Sequence, residues 1–256
     1  MNGLIKGIII NPEHGGKDTG LTANDLVEKD LNLLISTYMY NRLCELDIPT
    51  KIIRTTDEAI DTKERLNRIN ECFGPGQDVI VLSNHINIDD NPGTEVIFAL
   101  RNSDKLAFKI FNNLSQAGET VKKFYQKRLP SDPRKDYNLI IRETPGNQSL
   151  SIEYKILSEE DIIRFKNNYK KYAEAIIKAL TDFAGLKYKK PLKDNEYLVK
   201  KGDTLWTIAG EYNLTANELK ALNDLSSNAI SINQILKIKS EFNPENIIAD
   251  DFNDNQ

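Results

Sequence analysis

Apolar positions at the start of the chain form a short run, "LIKGIII", that breaks at "NPEHGGKDTG" and gives way to a different rhythm. Leu31, Leu34, Ile35, Tyr38, Met39, Leu43 and Leu46 recur at spacings of three and four, which predicts an amphipathic helix opening near Glu28. "TKIIRT" predicts the next strand. "DTKERLNRINECF" predicts a second helix with Leu66 and Ile69 inward, closed by Gly74-Pro75-Gly76. "DVIVLSNH" is almost wholly apolar, so it predicts a central strand covered on both faces. After the "DDNPG" turn the pattern predicts a strand "TEVIFAL", a helix over about 104–127, strands "YNLIIR" and "SLSIEY", and a helix over 159–183. This alternation implies an α/β fold, a mostly parallel sheet flanked by helices, with functional residues gathered at the carboxyl ends of strands.

The rhythm changes after Gly185. "LKYKKPLKDNE" is polar and interrupted by Pro191, so residues 185–195 suit a linker between a domain over 1–184 and a small α+β (βααβ) module over 196–240. A module of that size suits binding rather than catalysis. Residues 241–256 form an acidic tail, expected to be flexible, with five carboxylates and no Lys or Arg. The net charge of −4 resides there, since the rest of the chain carries +1. A near-neutral body argues against nucleic acid as a partner, and the absence of a long apolar stretch argues against membrane insertion. The first residues look like a strand rather than a signal peptide, so synthesis in the cytoplasm without Sec export is expected. Cys44 and Cys72 lie in helical patterns and are expected to be reduced, partly buried thiols.

The chain has two histidines, and both are predicted at one rim of the sheet. His14 follows the first strand and His85 ends the third. Glu28 opens the first helix, and Glu153 lies near the end of the last strand. Two imidazoles with one carboxylate are a frequent ligand set for catalytic zinc, and a further carboxylate, here Glu153, can act as general base. A histidine at a strand end is as readily a structural residue, and spacing leaves both readings open. Gly15 and Gly16 are expected to allow a tight turn and leave room for a substrate.

The blocks "IIINPEHGGKDTG", "EKDLNLLIS", "RTTDEAIDTKERLNRIN", "VIVLSNHIN", "GTEVIFAL" and "SLSIEYKILSEED" resemble, in order, those of the zinc-dependent N-acetylmuramoyl-L-alanine amidases of the type 3 family, over roughly 5–180. The resemblance implies that His14, Glu28 and His85 hold Zn²⁺, that Glu153 is the catalytic glutamate, and that Arg142 faces the substrate. There are departures. The family usually has Asp and Gly where this chain has Asn11 and Glu13, Ser-Ile-His-Ala-Asn where it has "SNHIN", and Gly-Phe where it has Lys155-Ile156.

The stretch from Glu196 to Ser240 resembles a single LysM domain, with Tyr-x-Val, Gly-Asp-Thr-Leu, Ile-Ala and a closing "NQILKI". That likeness implies a glycan groove formed by Gly202, Asp203, Thr204 and Leu205 with Asn228, Ala229 and Ile230. Asn233 stands where glycine is commoner and is expected to take a positive φ. Trp206, the only tryptophan, is expected in the module's core, with stacking on sugar as the alternative. Together the resemblances imply a peptidoglycan hydrolase that cleaves the amide between N-acetylmuramic acid and L-alanine. They imply muropeptide at the active site and N-acetylglucosamine-containing glycan at LysM. Without a signal peptide the enzyme would reach the wall after release, as an endolysin does. The alternatives are an inactive wall-binding protein and a metallopeptidase cutting elsewhere in the stem peptide.

Overall fold

The computed structural model describes residues 5–23, 26–193 and 195–238, so the expected acidic tail over 241–256 lies outside the described residues. The chain divides into two compact units, residues 1–189 and 190–256. In the first, the elements run β1 (Gly7–Pro12), β2 (Thr22–Ala23), β3 (Leu26–Val27), α1 (Glu28–Glu45), β4 (Thr50–Ile52), α2 (Thr62–Phe73), β5 (Val79–Ile88), β6 (Gly93–Phe98) and α3 (Lys105–Gln116). They continue as β7 (Val121–Tyr125), β8 (Arg128–Leu129), β9 (Asp132–Asp136), α4 (Leu139–Glu143), β10 (Gln148–Ile156) and α5 (Glu159–Ala184). Six strands form one sheet in the order β4-β1-β5-β10-β6-β7, and every pairing is parallel except β10 with β6.

Side chains alternate across this sheet and divide the core in two. Ile8, Ile10, Ile80, Leu82, Leu150 and Ile152 pack beneath α1, α3 and α5. Ile9, Val79 and Val81 point the other way, against Ile69 of α2 and Ile140 of α4. The strand "VIVLSNH" is therefore central and covered on both faces, as its composition predicts. Helix ends follow local chemistry: Asp61 accepts the Glu64 N–H at the start of α2, Ser158 and Asp161 form a capping box on α5, and Gly185 closes α5 at φ 69°.

The helix expected over 104–127 stops at Gln116, because Gly118 takes φ 79° and Val121–Tyr125 continues as an edge strand on β6. "YNLIIR" is not a strand. Leu139–Glu143 form a short helix closed by Thr144 Oγ1, which donates to the Ile140 carbonyl at 2.7 Å. Three consecutive apolar residues do not distinguish a buried strand from a helical turn. His85 and Glu153 lie within β5 and β10 rather than at their ends, since these strands continue to Ile88 and Ile156.

The second unit contains β11 (Glu196–Leu198), α6 (Leu205–Glu211), α7 (Ala216–Leu222) and β12 (Ile235–Lys237), with β11 and β12 antiparallel. Thr204 and Thr215 cap the two helices, each in a capping box. Asn233 has φ 68°, as expected. Trp206 is 60% exposed, which overturns its expected place in the core. Leu205, Ile208 and Ala209 fill the inward face of the seven-residue α6 and leave Trp206 outside. No described helix is long and apolar enough to cross a membrane. Of the thiols, Cys44 is exposed rather than partly buried, and Cys72 is half-buried.

Ile176 of α5 is fully buried in the larger core. Ile176→Ala is expected to cost about 2–5 kcal/mol of stability. Denaturant unfolding should show a lower midpoint with an unchanged slope.

Candidate metal centre

The face of the sheet that carries Ile9, Val79 and Val81 becomes polar farther along the strands. Asn11, Ser83 and Ser151 occupy one register row, and His85 and Glu153 are paired in the next. The chain then leaves β1 through His14, which has φ 60°, followed by Gly15 at 143° and Gly16 at 58°. A left-handed histidine is uncommon and persists only where its surroundings hold it. Two buried arginines do so. Arg54 donates to the carbonyls of Pro12, Glu13, Lys29 and Thr56, and Arg65 to those of Pro12 and His14 and to Asn11 Oδ1. The glycine pair does not make room for a substrate. A Cβ on Gly16 would lie 2.5 Å from the Ala59 nitrogen, and one on Gly15 would meet the Glu58 carbonyl, so the pair serves close packing against residues 58–59.

His14, Glu28 and His85 converge. One ligand atom from each lies within 4.8 Å of the others. His14 Nε2 is 3.3 Å from Glu28 Oε2, and His85 Nδ1 is 3.5 Å from Glu28 Oε1. Atoms placed tetrahedrally around zinc at its usual bond lengths are about 3.3 Å apart, so the donor set fits such an ion in type, and its two histidine–carboxylate distances fit in spacing. Glu28 sits at the amino terminus of α1, where the helix dipole favours a carboxylate, and it accepts from the N–H groups of Leu21 and Ile86.

The outward nitrogens of the two rings also have carboxylate partners. His14 Nδ1 lies 2.9 Å from Asp18 Oδ1, and His85 Nε2 lies 3.7 Å from Glu13 Oε1. Partners of this kind set tautomer and ring orientation at metal sites. Burial pushes the Glu13 carboxyl up, but His85, Arg65 and Asn11 outweigh it and hold its pKa at about 2. Burial likewise opposes charge on Glu28, yet hydrogen bonds from both histidines hold it well below the usual carboxylate range. His85 is lowered by burial and raised more strongly by Glu13 and Glu28, to about 10. His14 is raised chiefly by its hydrogen bond to Glu28.

Glu153, 7% exposed, shares a cavity of about 180 Å³ with His14, Glu28 and His85, and Asn138 Nδ2 lies 3.4 Å from its Oε1. Arg142 lines neither this cavity nor the larger one beside it. Its Nη1 donates to the carbonyls of Asp136 and Tyr137, and Nε to Glu143, so it anchors the turn that presents Asn138. In the second unit, Asp203 accepts from the Tyr197 hydroxyl and the Lys200 N–H, Leu205 is buried, and Asn228 and Ala229 are exposed. Sequence reasoning did not assign roles to Asp18, Glu13, Arg54, Arg65, Asn138 or Ser151. Asp18 alone had a local signal, four residues after His14 in the motif.

A family model described as N-acetylmuramoyl-L-alanine amidase matches residues 8–183, and a LysM domain model matches residues 197–239. The N-acetylmuramoyl-L-alanine amidase CwlM of Bacillus licheniformis is 36% identical over 90 residues, 34% of this chain and 34% of that protein. The N-acetylmuramoyl-L-alanine amidase Sle1 of Staphylococcus saprophyticus is 55% identical over 42 residues, 16% of this chain and 13% of that protein. The matched stretches thus span about a third of the one relative and about an eighth of the other. Among solved structures, the catalytic domain of the amidase CwlV from Bacillus (Paenibacillus) polymyxa superposes with a TM-score of 0.61 at 19% identity, over 71% of this chain and 99% of that domain. That likeness establishes the fold.

Metal uptake by this centre must expel protons. Without a cation His85 is charged at neutral pH, because its pKa is raised from 6.5 to about 10, while coordination needs the neutral ring. Affinity should therefore rise with pH up to about 10, by about tenfold per unit for each proton displaced. Calorimetric titration at pH near 7.5 in two buffers of different ionisation enthalpy should show release of at least one proton per metal. A heat independent of buffer would mean that the imidazoles are already neutral.

Proposed function

The chain belongs to the N-acetylmuramoyl-L-alanine amidase family, and we propose that it hydrolyses the amide between the lactyl group of N-acetylmuramic acid and L-alanine in peptidoglycan, with Zn²⁺ as its cofactor. The observation that carries this reading is the placement of Glu153 in one cavity with His14, Glu28 and His85. His14, Glu28 and His85 would hold the ion, which when bound supplies Lewis acidity toward water and toward the scissile carbonyl.

The protein's own groups supply the rest. Glu153 takes the proton from the attacking water and returns it to the departing alanine nitrogen, so that the amine leaves neutral. The Asn138 amide, donating to Glu153, keeps that carboxylate turned into the cavity. Asp18 and Glu13 hold the two imidazole rings, and the buried arginines hold the loop that carries His14. The LysM unit binds glycan through the loops at 202–205 and 228–230. In that role Asp203 and Leu205 shape the first loop from within, and Trp206 stands exposed directly after it. The enzyme acts on the bacterial cell wall, and an endolysin-like release onto it fits this pairing of units.

His85→Ala should lower both zinc content and turnover, whereas Glu153→Gln should keep zinc and lose about 10²–10⁴ in kcat. Metal analysis beside rates on a soluble muropeptide separates the two roles. Loss of zinc from the Glu153 variant would make that residue a ligand, and a His85 variant with full zinc would end its assignment. Free amino-terminal L-alanine among the products identifies the bond cut and sets the amidase apart from a stem-peptide peptidase.

Tethering to a polymer raises the local concentration of cleavable bonds, up to the millimolar range for short linkers. A fragment ending at Lys189, where the first unit ends, should therefore keep its rate on soluble muropeptide and lose rate and binding on intact sacculi. Equal sacculus binding by fragment and full chain would remove the targeting role of the second unit.

A further inference from the structure

Four buried side-chain polar atoms among the described residues have no hydrogen-bond partner: Asn32 Oδ1, Asn138 Oδ1, Asn147 Nδ2 and Ser151 Oγ. Two of them, Asn138 Oδ1 and Ser151 Oγ, belong to residues lining a single cavity. Its volume of about 240 Å³ exceeds the roughly 150 Å³ that accommodates a benzene ring. The cavity adjoins His14 and His85, on the side where Ser83 and Ser151 precede His85 and Glu153 along their strands. Ile60, Leu139, Ile140 and Ile141 supply its apolar wall.

The other buried polar groups of the lining are already engaged. Ser83 donates to Glu13, Glu13 pairs with Arg65, and Arg65 holds the backbone around Asn11 to His14. Asn138 has no freedom to turn over, because its nitrogen must face the Glu153 carboxylate, 3.4 Å away. Its Oδ1 therefore remains an acceptor in want of an N–H. Ser151, 1% exposed, has a hydroxyl free to donate. An acceptor and a donor among the residues lining one cavity, with aliphatic side chains on its wall, complement a secondary amide bearing a methyl group. Buried polar atoms usually have a partner, and of the four without one these two line the same cavity, so the pair points to a ligand that completes it.

We propose that this cavity is a specificity subsite for a methyl-bearing secondary amide, with Asn138 Oδ1 accepting its N–H and Ser151 donating to its carbonyl. The inference rests on the amidase reading above. Its substrate offers this chemistry twice, in the acetamido group on the sugar carbon next to the lactyl ether and in the alanyl unit beyond the scissile bond. Both lie within a few bonds of the reacting carbonyl, as a cavity bordering both histidines requires.

The test compares the full-length, zinc-loaded protein with Ser151→Ala on three soluble substrates: N-acetylmuramoyl-L-alanine methylamide, the same compound with the sugar amine free, and N-acetylmuramoyl isopropylamide. The ratio of wild-type to variant kcat/KM on each substrate cancels differences in leaving group. Ser151→Ala should lose about threefold to tenfold on the first substrate, the usual effect of one neutral hydrogen bond. The loss should vanish on the free amine if the acetamido group fills the cavity, and on the isopropylamide if the alanyl carbonyl does. No loss on the first substrate, or the same loss on all three, overturns the proposal. Zinc content and thermal midpoint should match in the two proteins. If neither protein cleaves any substrate, the amidase reading fails, and binding decides the subsite by itself. Amide resonances of residues 138 and 151 should then shift with N-acetylmuramic acid or N-acetyl-L-alanine methylamide and not with muramic acid; shifts with none of them overturn it.

Discussion

The in-register parallel pairing of β1, β5 and β10 is the constraint on which the rest depends. Side chains alternate along a strand, so a slip of one residue would send His85 or Glu153 through the sheet into the core beneath α1 and α5. The apolar pattern prevents that slip. Ile8, Ile10, Ile80, Leu82, Leu150 and Ile152 all belong on the fully covered face, and any shift by one would trade them for Ser83, Ser151 and the residues of the centre. On the opposite face the strands change character along their length, from Ile9, Val79 and Val81 to Asn11, Ser83 and His85. One end of that face anchors α2, and the other end is free for chemistry.

The loop that carries His14 cannot rely on the sheet, because it has already left it. It is held by guanidinium groups instead, and burying these is costly unless their charge and donors are satisfied. Arg54, 1% exposed, satisfies its donors on carbonyls, and burial with the neighbouring Arg65 lowers its pKa. Arg65 has a carboxylate within reach, Glu13 at 3.7 Å. Where the family pattern has Asp and Gly, this chain has Asn11 and Glu13, two residues apart and on the same face. Asn11 still accepts from Arg65 at 2.7 Å, while the negative charge has moved to the position that also borders His85. The two departures compensate one another.

Much of this was legible in the sequence, and the limits have physical causes. Long periodic segments such as "EKDLNLLISTYMYNRLCEL" and near-continuous apolar runs such as "DVIVLSNH" carry enough positions to identify an element, and the sheet follows from their alternation. The convergence of His14, Glu28 and His85 was anticipated from the ends of elements and from the family likeness. "NLIIR" failed because three apolar residues in a row satisfy either period. Trp206 failed because a seven-residue helix has room inside for few side chains, and Leu205, Ile208 and Ala209 take it. The two arginines and the orphaned Ser151 hydroxyl leave no local trace, since their roles are set by what lies across the fold.

The Lys155 departure has a comparable explanation at the far side of Glu153. Register across the antiparallel β10–β6 pair sets Glu153 directly opposite Glu95, so two carboxylates share one face of the sheet. Like charges facing each other across a strand pair repel, and Glu95 is only 5% exposed. A glycine at position 155 would leave Glu95 with Lys123 at 3.5 Å and the Tyr125 hydroxyl at 3.0 Å. Lys155 adds an ammonium 3.1 Å away, itself steadied by Asp89 at 2.7 Å, and its side chain is mostly buried. The lysine therefore belongs with Glu95 as one unit. It neutralises the second carboxylate and leaves Glu153 as the carboxylate of that row turned toward the two histidines.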